Sequence, residues 1–202
     1  MTAGAQNAKA DQAPALAGVN GHQGLHDLKL ALNSCYHFIA LVAHGSLHQR
    51  RDRLGETFGI ERGGRYSIFL DTNSRDGIAA PSAVLVVGFR LRWINSNGLL
   101  HRIFRRICII STPIWSGFPG YRVKLWMVDY GTQDYLGIYE WAGEENALVY
   151  VEWLTRLLRS LSAKSSVWYE IYPNEKIGSY LEKHRASGPQ NQRQALHPLV
   201  GE

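Results

Sequence analysis

Between residues 82 and 172 the spacing of apolar side chains switches repeatedly, and the order of the switches restricts the fold more than any other feature. Residues 82–94 (Ser-Ala-Val-Leu-Val-Val-Gly-Phe-Arg-Leu-Arg-Trp-Ile) begin apolar on both faces and end in alternation, as a central strand does. Residues 98–110 follow with apolar residues at helical steps, which predicts a helix burying Leu100, Ile103, Phe104 and Ile107 and exposing His101, Arg102, Arg105 and Arg106. Thr112-Pro113 ends it, because proline disfavours a helical residue before it. Residues 121–128 and 136–141 then alternate again around the turn-forming Gly131–Asp134 link, a hairpin pattern entered through Gly117, Pro119 and Gly120. A second helix is predicted over 144–161, with Ala147, Tyr150, Val151, Leu154, Leu157, Leu158 and Leu161 on one stripe. Residues 167–172 close the series as a strand, with a short helix at 175–184 beyond it.

Strand, helix, strand, strand, helix, strand is the βαββαβ order of an α+β, ferredoxin-like domain, one antiparallel sheet with both helices on one face. The helices leave the other face bare. Parity places Arg122, Lys124 and Trp126 on that bare face, joined by Tyr139 and Trp141 from the next strand. Such an aromatic face does not stay in water, so a second copy of the chain or an N-terminal helix is expected to cover it.

The remaining segments fall around this unit. Residues 1–24 are small, polar and aperiodic, which predicts a disordered N-terminus. Residues 25–80 read as an N-terminal extension, with an amphipathic helix through Leu28, Leu32, Cys35, Ile39 and Val42 and mixed loop-like sequence after it. The main domain is assigned to 81–180 and a flexible tail to 181–202.

With 45% hydrophobic residues in 202, a full core needs no metal or disulfide. Cys35 and Cys108 lack metal or redox spacing and read as buried thiols of a reducing compartment. The net charge of +5 is scattered, so a solvated basic face is favoured over nucleic-acid binding, for which Arg102, Arg105 and Arg106 would be the candidates. No basic start precedes an apolar core at the N-terminus, and charges interrupt the helix near 25–44. A cytoplasmic protein with no membrane partner is the expectation. His37, His44 and His48 form no metal pattern with a carboxylate, and neither a phosphate-cradling loop nor a Gly-x-Ser-x-Gly elbow occurs, so no cofactor is expected.

The run Gly117-Phe118-Pro119-Gly120, then Lys124-Leu125-Trp126, Gly137-Ile138-Tyr139, Ala147…Tyr150 and Leu154…Leu157 resembles the YdhR-type mono-oxygenase family over about residues 82–180. The resemblance implies a dimeric α+β barrel in which two ferredoxin-like sheets pair face to face around a pocket. It also implies a tailoring enzyme, a cofactor-independent mono-oxygenase acting on a hydrophobic aromatic molecule. The alternative is a non-catalytic ligand-binding or dimerisation protein of the same fold. On the expected open face, Lys124, Arg122 and Tyr139 are the candidate catalytic residues, the two cations orienting an anionic or phenolic substrate. Arg92, Trp126 and Trp141 are the candidate substrate-binding residues, the indoles by stacking. Set against these roles are an ion pair of the cations with Glu140 or Glu170 and plain core packing of the aromatics. His101 reads as a surface histidine, and Trp153, off the helix stripe, as facing a partner or solvent.

Overall fold

The computed structural model describes residues 47–60, 62–74, 81–92 and 98–185, together with some helical residues between 28 and 43. The expected disorder of 1–24 and most of the tail beyond 185 lie outside the described residues.

Among the described residues, seven strands form one sheet: β1 (Leu47–Arg50), β2 (Thr57–Gly59), β3 (Arg65–Ser74), β4 (Ser82–Arg90), β5 (Tyr121–Val128), β6 (Asp134–Ala142) and β7 (Trp168–Pro173). They are accompanied by α1 (Gly98–Ile110), α2 (Thr112–Ser116), α3 (Glu144–Leu161) and α4 (Ile177–Arg185). The order across the sheet is β1-β3-β5-β6-β4-β7, with β2 also on β3, and every neighbouring pair is antiparallel. Taken alone, β5-β6-β4-β7 is the ferredoxin-like order, with α1–α2 and α3 as its two crossovers. Residues 47–74, which read as mixed loop-like sequence, extend that sheet past β5.

β4 is buried from Ser82 to Phe89 because it is central and both its faces are covered. On the helix side Leu85, Val87 and Phe89 pack with Trp126, Tyr139 and Trp141 against Cys108 of α1 and Tyr150, Val151 and Leu154 of α3. On the other side Val84, Val86, Leu125, Met127, Leu136 and Ile138 pack with Phe58, Tyr66 and Ile68 under Ile177, Tyr180 and Leu181 of α4. The face expected to be bare is therefore closed within the chain by α4 and the β2–β3 edge. Gly88 belongs to this closure, since a Cβ there would lie 2.3 Å from the Trp168 ring.

Parity in β5 also differs from the expectation. A register shift between Tyr121 and Val123 makes Arg122 an extra residue, so Tyr121, Lys124 and Trp126 point toward the helices and Val123, Leu125 and Met127 toward α4. A bulge uses one residue, and simple alternation does not register it.

The two long helices depart differently. α3 has the expected bounds, but Trp153 is buried against Trp115 and Phe118, with ring centroids 5.4 and 5.3 Å away, while Leu157 and Leu161 are exposed. α1 is turned over: His101 and Cys108 are buried, and Leu100, Ile103 and Ile107 are exposed. Spacing alone allowed either side, because His101, Phe104 and Cys108 also recur at three- and four-residue steps.

Candidate functional site

The turned-over α1 brings His101 onto β6. Its Nδ1 lies 2.7 Å from the Tyr135 hydroxyl, and the two rings stack with centroids 5.8 Å apart. Phe89 and Phe104 pack on the same phenol at 5.7 and 4.7 Å. Burial raises Tyr135 to about 12, so the phenol keeps its proton at neutral pH. A proton shared across this contact can sit on either partner, as the imidazole tautomer dictates.

These two residues line a pocket of about 140 Å³ between α1 and the β5–β6 turn, with Gly98, Arg105, Val128, Tyr130 and Gln133. That volume is comparable to engineered cavities of about 150 Å³ that accept a benzene ring. Arg105 is held at the rim, donating to the Tyr130 hydroxyl at 3.3 Å. The turn itself is built around Asp129, whose carboxylate accepts from the backbone N–H groups of Gly131, Arg65 and Thr132 at 2.8, 3.0 and 3.2 Å. Burial pushes the Asp129 carboxyl up, but these three donors outweigh it and hold it below the usual carboxylate range. Gln133 has φ +61°, a left-handed conformation that a non-glycine residue adopts only when its surroundings impose it.

Phe69, whose ring centroid is 6.4 Å from those of Tyr135 and Trp126, separates the pocket from a buried aromatic box. Lys124 is 1% exposed, with its Nζ 3.2 Å from the Trp126 ring centroid, 4.5 Å from Trp115 and 4.6 Å from Tyr139. It has no hydrogen-bond partner, and burial pulls its pKa well below 10.5. The indole N–H groups of Trp126 and Trp141 are buried in the same layer without a hydrogen-bond partner among the described residues, and the Tyr150 hydroxyl faces that of Tyr139. Burial pushes Cys108, on the α1 side of this layer, up to about 12. An unusual density of unpaired polar atoms thus surrounds Lys124.

Of the six residues singled out from the sequence, Lys124, Trp126, Tyr139 and Trp141 share this box, facing the helices rather than an open sheet. The bulge sends Arg122 to the opposite face, where it donates to Ser82 Oγ at 2.6 Å and lies 3.8 Å from Glu140, the ion pair set against its catalytic role. Arg92 donates to the carbonyls of Ser162 and Arg159 at the C-terminal end of α3, a favourable place for a cation. His101, Tyr135 and Arg105 form the accessible site instead. The Tyr135 contact spans 34 residues, so nothing in the local pattern of α1 marks His101 as buried.

Among the described residues no group of histidine, cysteine, aspartate and glutamate could hold a metal ion, and no helix is long and apolar enough to cross a membrane. No family model and no curated protein matches the chain. Solved structures that superpose on it include a monooxygenase-like protein from Listeria innocua, at 14% identity over 58% of this chain and 68% of the other, with a TM-score of 0.37. A ferredoxin-fold protein related to antibiotic biosynthesis monooxygenases, from Listeria monocytogenes, is 12% identical over 70% and 89% of the two chains, with a TM-score of 0.36. A major regulator of staphylococcal pathogenesis is 10% identical over 78% and 96%, with a TM-score of 0.42. These superpositions are loose, and the ferredoxin-like assignment rests on the strand order of the chain itself. The resemblance to the YdhR-type proteins stands on motif spacing alone.

Proposed function

We propose that the chain is a small-molecule tailoring enzyme whose site is the pocket beneath α1, acting on a compact phenol or other acidic aromatic. The observation that carries this reading is the 2.7 Å contact between His101 and Tyr135 on the wall of a ring-sized pocket with Arg105 at its rim. His101 is the proton acceptor, drawing a proton from a phenol or an activated methylene. Arg105 and the un-ionised Tyr135 hydroxyl stabilise the resulting oxyanion. In cofactor-independent mono-oxygenation the substrate supplies the electrons. An activated methylene and dioxygen give a carbonyl and water, the two C–H bonds being replaced by the new C=O bond.

The test is oxygen consumption with a panel of hydroxylated aromatic compounds, alongside ligand binding measured by tryptophan fluorescence. Oxygen uptake that falls about 10²-fold or more in His101→Gln supports the enzyme. Saturable binding without uptake assigns the pocket to a non-catalytic binding protein. No binding at all refutes the site.

A further inference from the structure

The outward side of α1 is out of keeping with a surface helix in water. Leu99, Ile103, Ile107 and Ile110 recur at four-, four- and three-residue steps and are 57%, 44%, 52% and 76% exposed. Leu100 and Ile109 add to the same exposed surface. The inward side is already used by His101, Phe104 and Cys108, so no rotation of the helix would bury the stripe without expelling them. Along one flank of the stripe run the exposed Arg102 and Arg106, and the helix contains no aspartate or glutamate. A second apolar stripe lies close by in the chain's packing. Leu28, Leu32 and Ile39 of the N-terminal helical residues are exposed, while Ser34 of that segment donates its hydroxyl to the Ile114 carbonyl, in the helix that follows α1.

We infer that α1 lies on anionic lipid bilayers, its isoleucine–leucine stripe sunk to the depth of the headgroups and Arg102 and Arg106 engaging lipid phosphates. The combination of a thick apolar stripe and an unopposed basic flank selects this occupant. A second copy of the chain would bring two arginine rows together with no acidic residue on either helix to neutralise them. A nucleic acid would meet the arginines but leave the aliphatic stripe in water. A bilayer surface answers both, and the helix, at 13 residues, is too short to span one. The inference is independent of the chemistry of the pocket on the other side of α1.

The experiment is flotation of the full chain with phosphatidylcholine vesicles, with and without phosphatidylglycerol, at low and high salt. Co-flotation with the anionic vesicles is expected, weakening as salt rises. Arg102→Gln with Arg106→Gln should lower the partition coefficient by roughly 10-fold or more, at about 1 kcal/mol for each cation near the surface. Ile103→Asn with Ile107→Asn, both at exposed positions, should abolish flotation while leaving the far-ultraviolet circular dichroism unchanged. Equal flotation with neutral vesicles, or flotation indifferent to the arginine changes, overturns the inference. So does an absence of flotation, including the case of self-association or binding to an acidic helical peptide that the Ile103→Asn/Ile107→Asn variant loses.

Discussion

The interior around Lys124 sets two large effects against each other, and replacing that residue by methionine decides between them. Three rings surround the amine within 4.6 Å of their centroids, which favours an ammonium by about 2 kcal/mol or more for a desolvated contact. Loss of hydration favours the neutral amine by several kcal/mol, and among the described residues no hydrogen-bond partner offsets it. Burial wins, and the amine sits well below its ordinary 10.5. Through the range where the folded chain holds this group neutral and the unfolded chain holds it charged, the unfolded state binds one more proton. Stability then rises with pH by about 1.4 kcal/mol per pH unit, and the rise is complete above the unfolded value of 10.5. Cys108 acts in the other direction from pH 9 upward, because burial lifts its thiol from 9.0 to about 12 and only the unfolded chain ionises there. Lys124→Met keeps the length of the side chain and removes the amine. The variant should be more stable than the parent wherever the folded chain holds the amine neutral and the unfolded chain holds it charged, and its advantage should shrink as pH rises toward 10.5. Below pH 9 the Cys108 thiol keeps its proton in the folded and the unfolded chain and leaves the comparison unaffected. Urea unfolding of both at several pH values measures it. An advantage that stays constant with pH would refute the reasoning and show that the rings keep the ammonium charged.

Other outcomes follow from the same structure. Asp71 is fully buried with both carboxylate oxygens unpartnered, and burial lifts it to about 6 against the pull of Arg53 and Arg50. The folded chain therefore holds a proton that the unfolded chain releases between 3.8 and about 6, and stability falls across that window by about 3 kcal/mol. Asp71→Asn should remove the fall, as thermal unfolding near pH 4 and pH 7 would show. Tyr135→Phe takes away the partner of His101 and should cost about 1 kcal/mol in urea unfolding. Gly88→Ala should destabilise by about 1–3 kcal/mol and alter the near-ultraviolet dichroism, since its Cβ meets the Trp168 ring.

The strand and helix order of 82–172 was legible because each element there is long and strongly periodic, and α3 ends where its leucine stripe ends. The short strands of 47–59 were not, because their stability comes from pairing with β3 rather than from their own composition. The site was legible only in part. Lys124, Trp126, Tyr139 and Trp141 do converge, as alternation along two paired strands requires, but which face they share depended on a one-residue bulge and on where α4 packs. His101 was misplaced for a different reason. The apolar stripe of α1 looked like a core stripe, and helical spacing does not distinguish a stripe facing the protein from one facing outward.

Closure of the second sheet face by α4 and β2–β3 bears on how this chain behaves at low abundance. A sheet that waits for another molecule to shelter its hydrophobic side has a stability tied to concentration, and it loses that shelter on dilution. Here the shelter arrives on the same polypeptide, so covering this face is a step within one chain. The denaturation midpoint should be the same in nanomolar and micromolar solutions, and the pocket should be complete in every molecule from the moment its last helix docks.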